Sequence, residues 1–500
     1  MPVFITSTSA ASLHGVYAIE RQPPTTIRAT GTGTVALVEQ FPWGPDTAIS
    51  TISDFKTFLD TFAPAGSSHI GPGYLAVFGK SFPVLKIWRV LGPSAAAATC
   101  TINKTGPAAL VTVTLKYKGT TGNSVTATTT AATDGDTNHF NLLVTLSGAS
   151  GVTIDKFENL NFSAVGTVST PDCSKCLLVG SFAAASTGTP LIGTTAFASG
   201  LDGTVTSAEY VGTAGAGDKG IAKFEGDRTV DFIMTADPGS ALRPAVNAGL
   251  VAHADLMTDR IAVINHDSGQ TSAQVRTDVA SYRSLRAAYV DVWGYVRDDV
   301  DGTLRLVAPS AFFASVAASI SPSTSPAWKN TVVKNLLRNI VSLETSRGAD
   351  AYQNTLAGVC TLQAETLGGF TFEAAVNTNA PVSPAKKSLK RTRMGHYVAR
   401  SVTSSLREST DAPNVPVVQQ DEVTAVINFM EGLVSNATVD PINRPHILGY
   451  VMRDLKAYNT PTSLANGDFV IPVDFKISPD QERVYLSLSY GETVDVSVKL

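Results

Sequence analysis

The chain has 500 residues, of which 43% are hydrophobic and 16% charged, with a formal net charge of −4. It is too long for one core and too apolar for a disordered chain, and at roughly 100–200 residues per domain it reads as about three domains. The near balance of acidic and basic residues excludes a nucleic-acid-coating protein, whose pI usually exceeds about 9. A charged fraction well below the usual ~25% leaves little to cover a large free surface and predicts extensive contact between subunits.

The N-terminus, MPVFITS, has neither a basic region nor an apolar core, so no signal peptide is expected. No window approaches 18 consecutive apolar residues, so no transmembrane helix or membrane insertion is expected, and the chain reads as cytosolic at synthesis. Gly33–Glu39 (GTVALVE) reads as a strand, and Phe41–Asp46 breaks it into a loop. Phe55, Leu59 and Phe62 come next at i, i+4, i+7, the spacing of a helix face, with Ser53 as the expected N-cap. Lys86–Leu91 reads as another strand. From about Ser94 to Gly203, Thr, Ala, Gly and Ser dominate and runs such as Val111–Tyr117 alternate with period two, which predicts an all-β insertion.

Residues 205–345 change character. Thr229–Met234, Arg260–Asn265 and Tyr289–Gly294 suit buried strands, while Ala241–Ala254, Ser272–Leu285 and Ser310–Ser319 read as helices. Strands alternating with helices imply a parallel α/β layer structure. Further on, Asp421–Leu433 and His446–Lys456 read as helices. The final thirty residues alternate most clearly, at Phe469–Ile477, Val484–Tyr490 and Val494–Leu500, and predict a three-stranded meander. A strand that ends flush with the terminus is an edge that can pair with another chain.

Motifs that could carry chemistry are sparse. Gly215–Gly220 fits G-x-G-x-x-G, but the run before it makes a poor strand and Asp218 would set a carboxylate against the phosphates, so it reads as a flexible loop. Asp134–Asn138 resembles the front of a calcium loop, with His139 where Gly belongs and Thr145 where Glu belongs, and reads as a solvated turn. Ser383 and Lys386 have Ser-x-x-Lys spacing, interrupted by Pro384. The seven histidines are scattered, with no pair at ligand spacing. Of Cys100, Cys173, Cys176 and Cys360, only Cys173 and Cys176 are suggestively spaced; they read as reduced structural thiols at the start of a strand. One positive cluster remains: Lys386, Lys387, Lys390, Arg391 and Arg393 could steer an acidic partner surface or form a solvated loop.

The order of these elements resembles contractile-tail sheath proteins. The resemblance is carried by His14–Tyr17, by Thr32–Glu39 with the Gly44-Pro45 turn and the Ile52–Phe62 helix, and by Leu201–Tyr210. Asp231–Gly239, Arg260–Asn265 and Val307–Ala317 complete it. It covers most of the chain outside roughly 95–200, where this family carries variable outward insertions. It implies a multidomain α+β and α/β chain, with an α/β sheath core, an all-β inserted domain and extended N- and C-terminal arms. The implied segments are 1–25 (N-terminal arm), 26–94 (core), 95–203 (insertion), 204–345 (α/β domain), 346–490 (C-terminal α/β domain facing the tube) and 491–500 (C-terminal arm strand). It further implies a non-enzymatic subunit without catalytic residues, cofactor or metal. Copies would stack as six-membered rings around a tail tube protein in a virion tail, with baseplate and tail terminator proteins as partners and no direct contact with nucleic acid. The arms would cross to neighbouring subunits through Val3, Ile5, Val16 and Ile19 at one end and Val494, Val496, Val498 and Leu500 at the other. The five-residue basic cluster would face the tube. A bacteriophage sheath, a related bacteriocin or secretion sheath and, from a different class, a Rossmann-type nucleotide-binding enzyme all remain open; a secreted adhesin is disfavoured.

Overall fold

A computed structural model describes residues 27, 31–64, 84–106, 108–137, 139–148, 151–161, 171–186, 188–298, 302–366, 368–406, 416–435, 446–465 and 469–477. The chain divides into two compact units, Met1–Val426 and Ile427–Leu500.

The first unit is built on strands β1 (Thr34–Glu39), β2 (Ser50–Ile52) and β3 (Val84–Arg89), with helix α1 (Phe55–Phe62) between the last two. All six residues of β1 are buried, as expected of an apolar run in a sheet covered on both faces. Asp54, rather than Ser53, caps α1: its carboxylate accepts the Thr57 amide at 2.8 Å, which starts the helix at Phe55. The rings carried inward are Phe58 and Phe62, while Phe55 and Leu59 are partly buried against them. Burying each of the two contributes ~1.5–3 kcal/mol.

The alternating segment holds antiparallel strands β4 (Ala97–Asn103), β5 (Ala109–Lys118), β6 (Thr126–Ala131), β7 (His139–Gly148), β8 (Gly151–Asn161), β9 (Val179–Ala184) and β10 (Gly193–Ala196). They form two sheets, β4-β5-β9 and β10-β6-β7-β8, whose apolar side chains make a separate cluster that Trp43 joins from outside the segment. The segment's ends meet at a neck, where the Gly92 amide donates to Asp202 O at 2.9 Å.

After it come helix α2 (Ser207–Val211), β11 (Phe232–Met234), α3 (Arg243–Met257), β12 (Ile261–Asn265), α4 (Ser272–Val279) and β13 (Ala287–Asp291). Strands β14 (Gly294–Arg297), β15 (Leu304–Val307) and β16 (Ile340–Leu343) make a small antiparallel sheet around helix α5 (Pro309–Ser319). Residues Pro309–Ala318 of α5 are all buried, as an all-round apolar helix requires. Helix α4 is shorter than the pattern suggests. A Thr271–Gln274 capping box starts it, and beyond Val279 the Tyr282 and Ser284 carbonyls turn to the Thr378 hydroxyl instead of continuing the helix.

Helix α6 (Ala351–Ala357), β17 (Val359–Ala364), β18 (Phe370–Phe372) and α7 (Leu389–Leu406) complete this part of the chain. The main sheet runs β18-β17-β13-β12-β11-β1-β3-β2, parallel from β17 through β3, with an antiparallel strand at each edge.

Helix α8 (Pro416–Ser435) spans the division between the units. In the second unit, β19 (Gly449–Met452) pairs antiparallel with β20 (Val473–Lys476). The helix expected over His446–Lys456 is therefore a strand and then one short helical turn, Leu455–Tyr458. Gly449 is a poor helix former, and Tyr450 and Val451 pair with Phe475 and Asp474 instead. Of the expected meander, Val473–Lys476 is a strand, and Val484–Tyr490 and Val494–Leu500 lie outside the described residues.

Candidate functional site

The basic segment turns from a single 3₁₀ turn, Pro384–Lys386, into α7. Lys386 and Arg391 are exposed and Lys387 is half-buried, whereas Lys390 and Arg393 are only 5% and 6% exposed. The expectation of five outward charges is corrected: the helical period sends residues three apart to the inner face. Arg393 donates to the carbonyls of Ala317 (2.6 Å), Ile320 (3.0 Å) and Thr324 (3.1 Å), and its guanidinium stands 5.5 Å from the Phe232 ring centroid. It thus satisfies carbonyls that the end of α5 leaves orphaned and sets a positive charge against the negative pole of that helix. Burial pushes its pKa down to about 9.

Two turns on, Arg400 donates to Val230 O at 3.2 Å and pairs with the Asp231 carboxylate, which also accepts the Gly33 and Thr34 amides. His396 lies between the two arginines, its pKa lowered to about 4 by burial first and then by the positive Arg286 and Arg260. A small pocket beside it is lined by Gly33, Asp231, Phe232, Pro322, Arg393 and His396. Helix α7 therefore fastens the N-terminal ends of β1 and β11.

The opposite end of the sheet is the place to test the nucleotide-binding alternative. In open α/β sheets ligands bind beyond the strand C-termini where the strand order reverses, here between β1 and β11. That position holds the fully buried carboxylate of Glu39, which accepts the Ala236 and Asp237 amides at 2.8 and 2.9 Å and the Tyr210 hydroxyl at 2.8 Å. The amides that a phosphate would need are already engaged by the chain itself. Burial raises the Glu39 pKa, and the hydrogen bonds from Asp237, Tyr210, Gln40 and Ala236 oppose the rise.

Beside it, Arg243 pairs with Asp237 (2.5 Å) and Asp267 (2.6 Å) over the Trp293 ring. Further along, Asp291 is wholly buried at the end of β13. It accepts Arg347 Nε at 3.0 Å and Asn354 Nδ2 at 3.0 Å, and lies 2.8 Å from His266 Nε2. Burial works to raise its pKa, but His266 and Arg347 hold it below the usual carboxylate range. These groups pair with one another and form a clamp across the strand ends. The sequence reading missed Glu39, Asp231, Arg243, Asp291, Arg347 and Arg400. A visible signal existed for two of them: an acidic residue ending a buried apolar run, as in VALVE and AAYVD.

The remaining motifs resolve structurally. Gly215 donates its amide to Glu225, and Asp218 accepts the Thr213 and Lys219 amides. The glycine-rich loop leads into a 3₁₀ turn, Gly220–Phe224, and a Cβ at Gly220 (φ +57°) would meet Tyr210 O at 2.0 Å, so this glycine serves close packing against α2. Asp134 accepts the Asp136 amide and pairs with His139. Ser383 accepts the Lys386 amide through its carbonyl, as the start of the 3₁₀ turn. Cys173–Cys176 is a tight turn rather than a strand start, and the strand begins at Val179. The arm residues Val3, Ile5, Val16, Ile19, Val494, Val496, Val498 and Leu500 lie outside the described residues.

No protein-family model matches the sequence, and no curated protein matches it. Solved structures do match. A sheath tail protein from Desulfitobacterium hafniense superposes with a TM-score of 0.61 at 16% identity, over 88% of this chain and 93% of that one. A sheath tail protein from Listeria innocua gives 0.58 at 18% identity, over 82% and 86%. The helical sheath of the anti-feeding prophage in its contracted state gives 0.55 at 13% identity, over 96% and 99%. At these identities it is the fold that is shared: the chain has the fold of contractile-tail sheath proteins.

Proposed function

We propose that this protein is the structural subunit of a contractile sheath. It polymerises as stacked six-membered rings around a tail tube, engages baseplate and terminator proteins at its ends, and contracts to drive the tube through a cell envelope. The observation that carries the reading is the match to an assembled sheath over nearly the whole of both chains. The filled switch point at Glu39 argues against the nucleotide-binding alternative. Within the family of uses, a phage tail that ejects a genome is the first reading and a phage-derived injection or bacteriocin sheath the second.

Assembly by strand sharing fits two features. Among the described residues the β19–β20 sheet has two strands, and a two-stranded sheet is marginal in water without further strands or packing. The alternating segment Val494–Leu500 is suited to supply a strand to a neighbour. Lys386, Lys387 and Arg391 are the candidates for a tube-facing positive patch, each worth ~1 kcal/mol or less when exposed and screened. Negative-stain microscopy of the purified protein tests the reading: striated tubes are expected. Discrete monomers under all assembly conditions, or normal sheaths from a chain lacking Glu492–Leu500, would sink the sheath role or the strand-sharing role respectively.

A further inference from the structure

Cys173 and Cys176 sit where the insertion's two sheets are joined. The Cys176 amide donates to Cys173 O at 3.1 Å, closing an i to i+3 turn, and the Cys173 thiol donates to Pro171 O at 3.4 Å. The backbone on either side is held. Lys116 Nζ, from β5, donates to Cys176 O at 2.8 Å. The next three amides, of Leu177, Leu178 and Val179, all go to the buried carboxylate of Asp155 on β8, at 3.0, 2.7 and 2.8 Å. Cys173 and Cys176 are half-buried residues packed against the insertion's core, whereas Cys100 and Cys360 are only 2% and 0% exposed. A turn of this kind keeps its outer Cα atoms within about 7 Å, and a disulfide needs about 4.4–6.8 Å. The bond can therefore close with little backbone movement.

We propose that Cys173 and Cys176 are a redox couple that closes to an intramolecular disulfide by exchange with a low-molecular-weight disulfide of the glutathione class. Cys173, as thiolate, attacks one sulfur of the small disulfide, forming a mixed disulfide and expelling one small thiolate. Cys176 loses its proton to solvent and attacks the Cys173 sulfur, expelling the second small thiolate. The pair gives up two electrons and two protons, and the small disulfide is reduced to two thiols. The order follows from the surroundings: burial and the Asp155 charge push the Cys176 thiol up to about 12, while the Cys173 thiol is raised mainly by burial. The product locks the turn on which the Asp155 junction depends, and its chemistry is independent of the sheath reading.

The full-length protein, reduced and then incubated with oxidised glutathione, is quenched in acid, alkylated with a maleimide and mapped by tryptic mass spectrometry. Trypsin cuts after Lys175, between the two cysteines, so the oxidised protein is expected to yield two peptides joined through Cys173 and Cys176, unalkylated and lighter by two hydrogens. Cys176→Ser should stop at a glutathionyl adduct on Cys173. Two adducts on the wild-type chain, a disulfide-linked dimer, or both thiols still alkylated after treatment would each overturn the proposal.

Discussion

Replacing Arg393 by Met keeps an apolar stem in the interior and removes all the charge and donors. The carbonyls of Ala317 and Ile320 at the end of α5, and of Thr324 in the turn that follows, then lose their partner. A buried acceptor left unsatisfied costs ~1–3 kcal/mol, so the two buried ones, of Ala317 and Ile320, could cost up to ~6 kcal/mol. Two effects reduce this. Water entering beside the neighbouring pocket can satisfy one or two of the carbonyls, and the variant no longer has to keep a guanidinium away from solvent, a penalty of several kcal/mol. The expected net loss is ~2–5 kcal/mol, with Arg393→Lys in between because one ammonium cannot reach three acceptors at once. Urea unfolding monitored by tryptophan fluorescence reads the global loss. Hydrogen exchange at the last turn of α5 reads the local one and should rise in the same variants. A Met variant within ~0.5 kcal/mol of wild type, with α5 equally protected, would show that the arginine is a passive buried cation and would refute the capping argument.

Gly203→Ala should cost ~2–4 kcal/mol in the same assay, because φ is +70° and the new Cβ would lie 2.8 Å from the Gly92 carbonyl carbon; a wild-type midpoint would mean that the neck is loose. Excising residues 95–203 behind a short Gly-Ser linker, together with Trp43→Ser to remove the ring that joins the insertion's core, should leave a chain with the α/β circular-dichroism signature and its capacity to polymerise; a folded variant unable to assemble would contradict an outward role for the insertion. His253 and His396 are both held down to about 4 by burial first, below the ~6.5 of an unfolded chain. Their contribution is therefore full above pH ~6.5 and is lost as pH falls through about 4, by up to ~3 kcal/mol each. The double Gln variant should lose correspondingly less on acidification, and an unchanged pH profile would contradict the assignment. Neutralising Lys386, Lys387 and Arg391 alone should weaken tube binding in a salt-dependent manner without altering the urea midpoint; indifference to both would make the patch a solvated surface.

Much of the scaffold was legible because its signals are local. Continuous apolar runs such as TVALVE and IAVIN could only be buried strands, and the Thr-rich alternation of 97–196 could only be antiparallel sheet. Where the outcome depended on partners distant in sequence, the reading failed. Gly449–Met452 has helical spacing of apolar residues, yet β20 captures it as a strand more than twenty residues away. The basic run read as one surface feature because charge density carries no phase; only the start of α7 at Leu389 decides that Lys390 and Arg393 turn inward while Arg391 turns out. The clamps at the sheet ends were hidden for the same reason, since Glu39 meets Ala236 and Arg400 meets Asp231 across more than 160 residues of chain.

Those two sets of clamps have a mechanical corollary. Sliding one strand of a parallel sheet past its neighbour must break the ladder bonds and, here, also drag buried charges off their partners at both ends: Asp231 and Arg400 at one, Glu39, Arg243 and Asp291 at the other. Partial slippage has no intermediate resting place, because a half-displaced buried charge is the costliest arrangement available to it. Such a sheet transmits a pull as a stiff plate and stores little of it as internal shear, so compliance under load is left to the joints at its margins.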